Sequence, residues 1–187
     1  MKLLPSTIHG CYQIELLARL DTRGSFVKTF QSTAFRELGL EADFSESFYT
    51  FSQENVLRGM HFQLPPSDGA KLVYCLQGAA LDVAVDLRVG SLSYGDHAAF
   101  ELSADDTSAA YIPRGVAHGF FVRKGPVLLV YHVSSEYDPK LDSGILWSSI
   151  DFEWPSAHPI CSERDSSLPR LPDFKSPFRF APVEVDA

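Results

Sequence analysis

A chain of 187 residues, 45% hydrophobic and 21% charged, holds enough apolar material for one sizeable core under an ordinary polar surface. A formal net charge of −8, with no Lys/Arg run, excludes nucleic acid as the main partner but leaves room for an anion held by local basic residues. No stretch approaches the roughly 20 apolar residues of a membrane span. The N-terminus lacks a signal-peptide pattern, and three widely spaced cysteines outside any CxxC arrangement fit a cytoplasmic protein with reduced thiols.

The elements in chain order are short and mostly extended. Residues 11–20 read as a strand leading into the polar turn Asp21-Thr22-Arg23-Gly24, and Ser25 to Phe30 alternates again. Thr33 to Leu40 is the one clear helical signal, closed by Gly39. Phe44 to Ser52, rich in aromatic and hydroxyl residues, has strand character. Val56 to Gln63 is a strand ended by Pro65-Pro66, because proline lacks an amide donor and restricts the residue before it. After the turn Ser67-Asp68-Gly69 come a strand from Lys71 to Leu76, a break at Gln77-Gly78, and a nearly apolar run from Ala80 to Leu87 interrupted by Asp82 and Asp86. Ala98–Leu102, Ala109–Ile112, His118–Val122 and Val127–Val133 complete the strand series. Beyond Asp151, prolines at 155, 159, 169, 172, 177 and 182 rule out long regular elements and imply an extended arm lying on the rest. Such spacing predicts an all-β antiparallel sandwich or small barrel forming one domain over 1–187, with its core at about 14–150 and the arm at about 151–187.

Chemistry concentrates between Val56 and Val73, where Arg58, His61, Gln63 and Lys71 stand in apolar surroundings. Strict alternation sends Leu57, Gly59, His61 and Gln63 to one face and Arg58, Met60 and Phe62 to the other. A second cluster, Pro113-Arg114-Gly115-Val116-Ala117-His118, places another histidine at the start of an apolar strand. An imidazole and an ammonium on consecutive strands can face one pocket, an arrangement suited to a carbanion or an anion.

The segments Asp21-Thr22-Arg23-Gly24-Ser25-Phe26, Val56-Leu57-Arg58-Gly59-Met60-His61-Phe62-Gln63, Lys71-Leu72-Val73, Asp82 to Arg88, Ile112 to Phe120 and Ser162-Glu163-Arg164-Asp165 resemble, in order and spacing, the dTDP-4-dehydrorhamnose 3,5-epimerase family. The resemblance runs from about Ile14 to Asp165. It implies a cupin-type jelly-roll barrel, a homodimer, and action without cofactor or metal on a nucleotide-linked 4-keto-6-deoxy sugar. By the same resemblance His61 is the base, oriented by Asp165. Lys71 stabilises charge on the ketone oxygen, and Tyr131 is the general acid. Arg23 and Arg58 bind the diphosphate, Tyr137 stacks near the base, and Phe26, Lys28, Glu46, Gln63 and His118 complete the substrate site.

Three positions depart from the family pattern: Lys28 replaces Glu, Glu46 replaces Gln and Phe48 replaces Asn. The first two suggest a CDP-linked sugar as an alternative to dTDP, since a lysine donor and a carboxylate acceptor suit the edge of cytosine. Inversion at C3 alone, C5 alone or both stays open. Two rival classes are a metal-dependent cupin, suggested by Pro113-x-Gly115-x-x-His118, and a non-catalytic sugar-nucleotide-binding cupin. The first is disfavoured because His61-Phe62-Gln63 lacks the His-x-His of a first metal motif and Lys71 is a poor metal neighbour.

Overall fold

Short runs rich in apolar and aromatic side chains, broken by Gly, Pro and Asp, generate most of the elements. A computed structural model describes residues 1–181; residues 182–187, including Pro182 of the expected arm, lie outside the described part. The strands are β1 (Lys2–Pro5), β2 (Tyr12–Glu15), β3 (Leu17–Asp21), β4 (Gly24–Lys28), β5 (Glu46–Ser52), β6 (Leu57–Gln63), β7 (Lys71–Asp86), β8 (His97–Ser103), β9 (Ser108–Ile112), β10 (Val116–Val133) and β11 (Asp142–Gly144). Helix α1 spans Ser32–Glu37 and α2 spans Glu163–Ser166. β3 and β4 form a hairpin of their own, and the other strands join one antiparallel system.

β7 and β10 carry the architecture. They pair with each other along most of their length, from Val116 opposite Asp86 to Val133 opposite Lys71. The first part of β7 also pairs with β9 and its second part with β8. β10 likewise pairs first with β6 and then with β5. Each strand thus crosses from one sheet to the other, which is how a jelly roll closes without leaving its core open.

The side-chain period restarts at each crossing. Val73 and Cys75 face the interior of the barrel before the bend in β7; Ala80 and Ala84 face it afterwards. On β10 the inward set changes from Val116, Phe120 and Val122 to Val127, Leu129 and Tyr131. The register shifts that permit this lie between Val122 and Leu129 on β10 and in the Gln77–Ala79 segment opposite. The sequence predicts separate strands on either side of Gln77-Gly78 and of residues 123–126. These segments are instead halves of continuous bent strands, because their ladders run on through the bulges.

The opposite faces are also covered, so both long strands are apolar on both sides. Leu81, Val83, Val85 and Phe121 pack under the arm with Phe174 and Phe178, while Leu72 and Tyr74 pack against Phe35 of α1. The arm holds on through parallel bridges, Val56 with Ile160 and Val89 with Arg179, and through Trp147, Phe152 and Trp154 packed edge to face. Three elements have no counterpart among the expected ones: β1, β11 and α2. Each is only three or four residues long, too short for a period to register.

Gly78 has φ +76, and a Cβ there would sit 2.6 Å from the Pro126 carbonyl oxygen. Gly78→Ala therefore combines left-handed strain with a backbone clash and is expected to cost on the order of 3 kcal/mol. Urea denaturation checks this: the midpoint should fall with an unchanged slope.

Candidate active site

A cavity of about 280 Å³ opens between the two sheets, lined from β5, β6, β7, β10, the segment from Ser135 to Asp142, and Arg164. Its floor depends on a close approach of two strands. Gly59 has φ +143, and a Cβ there would sit 2.5 Å from the Gly119 Cα, so β6 and β10 meet at glycines. The β6–β10 ladder is irregular between His118 and Phe120. This irregularity breaks the alternation of β6: Leu57 and Met60 pack outward, Phe62 packs outward while also bordering the cavity, and Arg58, His61 and Gln63 all line it. The expectation that Arg58 faces away from His61 is thereby corrected; a bulge, which a period-2 reading does not anticipate, brings them together.

His61 Nε2 lies 2.7 Å from Asp165 Oδ1, and the other carboxylate oxygen accepts the Gly59 N–H at 3.2 Å. Asp165 is buried, carried by α2, whose N-terminus is capped by Ser162 accepting from the Asp165 N–H at 3.0 Å. Burial would raise the Asp165 carboxyl, but bonding to His61, Gly59 and Ser162 outweighs it and holds the group below its ordinary value. With Nε2–H donated to Asp165, the basic lone pair of His61 sits on Nδ1.

Lys71 donates to the His61 carbonyl at 3.2 Å. Its burial lowers the ammonium to about 8, against the pull of Asp82 and Asp142. Next to it a second pair forms, His118 Nε2 with Asp82 Oδ2 at 2.7 Å, both fully enclosed. Burial lowers the His118 imidazole more than Asp82 raises it. Tyr131, on the β5-paired half of β10, is 5% exposed, and its phenol is pushed far up, first by burial and then by the charge of Asp82. It stays protonated throughout the working range. The cavity therefore sets a carboxylate-bound imidazole on one sheet against a neutral phenol on the other, with an ammonium between strands. Such a set can take a proton from one side of a bound carbon acid and return one from the other.

The remaining expected site residues divide. Arg58 lines the cavity and donates through Nε to Ser52 at 3.0 Å. Glu46 lines it too, but its carboxylate accepts the Tyr137 N–H at 2.7 Å. Tyr137 lies at the rim with its hydroxyl on Asp142 at 3.2 Å. The Gln63 amide is engaged on both sides, donating to the Ser67 and Glu136 carbonyls and accepting from Asp138 N–H. It ties two rim loops together. Arg23, Phe26 and Lys28 stand on the exposed β3–β4 hairpin, away from this lining. Arg23 is paired with Asp21 at 2.5 Å, and Lys28 is 3.5 Å from Gln31. Lys28 and Glu46 are thus not brought to one place within a single chain.

Three groups were not singled out beforehand as site members. Asp82 had a signal, as a charge interrupting an apolar strand. Arg164, adjacent to Asp165, lines the cavity, pairs with Asp142 at 2.7 Å and lies 3.5 Å from His61 Nε2. Asp142 opens β11, a strand of three residues too short to show a pattern. Among the described residues, no group of three His, Cys, Asp or Glu side chains is placed to hold a metal ion.

The barrel and its cavity belong to the cupin-type class of sugar epimerases, as the comparisons with known proteins show. The family model described as dTDP-4-dehydrorhamnose 3,5-epimerase matches residues 5–173, and this chain belongs to that family. It is 39% identical over 148 residues to the dTDP-4-dehydrorhamnose 3,5-epimerase of Shigella flexneri, covering 78% of this chain and 82% of the relative. It is 35% identical over 168 residues to a dTDP-4-dehydrorhamnose 3-epimerase of Streptomyces niveus, covering 88% and 81%. Among solved structures, the dTDP-6-deoxy-D-glucose-3,5-epimerase of Legionella pneumophila, in complex with dTDP-4-keto-L-rhamnose, superposes with TM-score 0.92 at 29% identity, covering 97% of this chain and 99% of that one. The protein is an isomerase, a carbohydrate epimerase.

Lys71 is charged below about pH 8 and neutral above it. kcat/KM, which reports the free enzyme, is expected to fall as pH rises through that value. Lys71→Met should lower kcat/KM by roughly 10² and remove this alkaline limb, as a pH–rate profile will read.

Proposed function

We propose that the chain inverts C3 and C5 of a dTDP-linked 4-keto-6-deoxyhexose through enolate intermediates. The carrying observation is the arrangement of one cavity: the His61–Asp165 pair and the protonated Tyr131 on facing sheets, with Lys71 buried beside them. The ketone at C4 acidifies the protons at C3 and C5. His61 Nδ1 removes one of them, and Asp165 stabilises the imidazolium that forms. The electron pair left on carbon moves onto the ketone oxygen, where the Lys71 ammonium lowers its energy. Tyr131 then delivers a proton to the opposite face of the same carbon, restoring the ketone with inverted configuration, and solvent resets both groups. Asp82 keeps His118 oriented in the wall, while Arg58 and Arg164 offer forked donors to the diphosphate.

Thymidine is the base this reading takes. The relatives' printed activities support it; Glu46 already holds the Tyr137 N–H, and Lys28 travels on the same hairpin as Arg23 and Phe26, so the cytidine alternative is decided by the dTDP and CDP titration below. The working unit in this reading is a cytoplasmic homodimer. Arg23 and Phe26, matched by resemblance to substrate-binding positions, lie on a hairpin outside their own cavity, so a second copy is the cavity they can serve. Exposed Leu20 and Phe26 on that hairpin, and exposed Tyr49, Phe51 and Leu76 on the outer sheet face, supply apolar surface for the contact.

His61→Ala should lose solvent-deuterium exchange at C3 and C5 by at least ~10²-fold while still binding dTDP. Normal exchange would remove His61 from the mechanism. Tyr131→Phe should retain exchange with unchanged configuration but lose inverted product; NMR at each carbon separates the two. Calorimetric titration should show dTDP binding at least ~10-fold tighter than CDP, since a mismatched base edge leaves buried polar groups unpaired. Mixing inactive His61→Ala with inactive Arg23→Ala subunits should recover part of the activity if the hairpin crosses between copies; no recovery refutes the crossing.

A further inference from the structure

The departure at residue 48 lies directly on the residue assigned as acid. Phe48 and Tyr131 are opposite one another in the β5–β10 ladder, and both side chains line the cavity. Their rings are stacked, with centroids 4.8 Å apart and planes 12° from parallel. On another side of Tyr131 the His118 ring stands nearly edge-on, centroids 6.0 Å apart and planes at 66°. Tyr131 is 5% exposed whereas Phe48 is 43% exposed, so Phe48 is the lid between the phenol ring and solvent.

We infer that Phe48 is a positioning residue, holding the Tyr131 ring in one plane and shielding it from water so that its proton reaches only the far face of the sugar. The argument rests on Tyr131 acting as the acid. A tyrosine side chain swings about two torsions, and a parallel ring paired across the ladder restricts both. His118 cannot supply this restraint alone, since an edge contact leaves the ring face open. An amide side chain in this place would offer a hydrogen-bonding group instead of a ring. Phe48 gives the wall beside Tyr131 no donor or acceptor. A sugar hydroxyl turned toward it would lose its partner, whereas a C–H face or methyl group would not. The same residue thereby favours a deoxy sugar oriented with its carbon edge toward Phe48.

The test compares wild type, Phe48→Leu, Phe48→Trp and Tyr131→Phe in D2O with a dTDP-linked 4-keto-6-deoxyhexose. The readout is the ratio of inverted product to deuterium incorporated with retention. Phe48→Leu keeps the apolar wall but removes the stacked ring, and is expected to lower that ratio at least tenfold. Phe48→Trp keeps an aromatic face, with room at the exposed rim for the larger ring, and should hold the ratio within threefold of wild type. Loss of inversion and exchange in equal proportion in Phe48→Leu, or an unchanged ratio, overturns the positioning role. If Tyr131→Phe lowers the ratio and Phe48→Leu does not, Phe48 alone is wrong. If Tyr131→Phe leaves the ratio unchanged, the acid assignment has failed and the role of Phe48 falls with it.

Discussion

The continuous pairing of β7 with β10 through two sheets is the constraint on which the site depends. The strands keep their ladder while bending, so an additional residue must be absorbed at each bend and the inward-facing set changes parity. That change lets Lys71 near the start of β7 and Asp82 beyond the bend share one interior. It does the same for His118 and Tyr131 on β10. Without the bends the two histidines would sit on one sheet and the tyrosine on its continuation, with no enclosed space between them. Gly78 makes the bend possible where backbone carbonyls crowd the chain, and Gly59 facing Gly119 lets β6 close against β10.

Buried charge is organised so that each acid has its own partner. Asp165 holds His61, Asp82 holds His118, and Asp86 grips Arg88 through two bonds of 2.8 Å while accepting the Ser91 and Ser93 hydroxyls. Carboxylates this deep would otherwise be strongly disfavoured. The Asp86–Arg88 group lies outside the cavity lining, where Arg88 also donates to the His9 carbonyl and rests over Phe180. It joins the N-terminal segment to the arm. Inside the cavity both signs meet: Arg58, Lys71 and Arg164 share the lining with Glu46, Asp68 and Asp142, and Arg164 is paired with Asp142 at 2.7 Å.

The arm contributes more than cover. Its aromatic residues complete the outer core, and its short helix α2 carries Asp165 against β6, onto His61 and the Gly59 N–H. A residue about a hundred positions from His61 thereby sets the tautomer of that histidine. The rim is similarly composite, since Gln63 fastens the loop after β6 to the loop after β10, and Glu46 fixes Tyr137.

Much of this was open to reading from the sequence alone. Short alternating strands and Pro and Gly punctuation determined an all-β antiparallel sandwich or small barrel, because a period of two persists wherever one face must be buried, and the family resemblance chose the barrel. His61, Lys71 and His118 were identifiable by type and setting, whereas Tyr131 and Asp165 were marked only by the family resemblance. Only the tertiary structure decided that β7 and β10 are single bent strands, that Arg58 joins His61 on one side, and that Gln63 is occupied by backbone. It also decided that Asp142 and Arg164 line the cavity, that Asp82 stands behind it on His118, and that Arg23, Phe26 and Lys28 stand away from it. Bulges cause the first group of surprises: inserting one residue reverses the face of everything after it, and local pattern carries no record of that reversal. The others arise because hydrogen-bond partners and cavity walls are formed by segments brought together from across the chain, which no local period encodes.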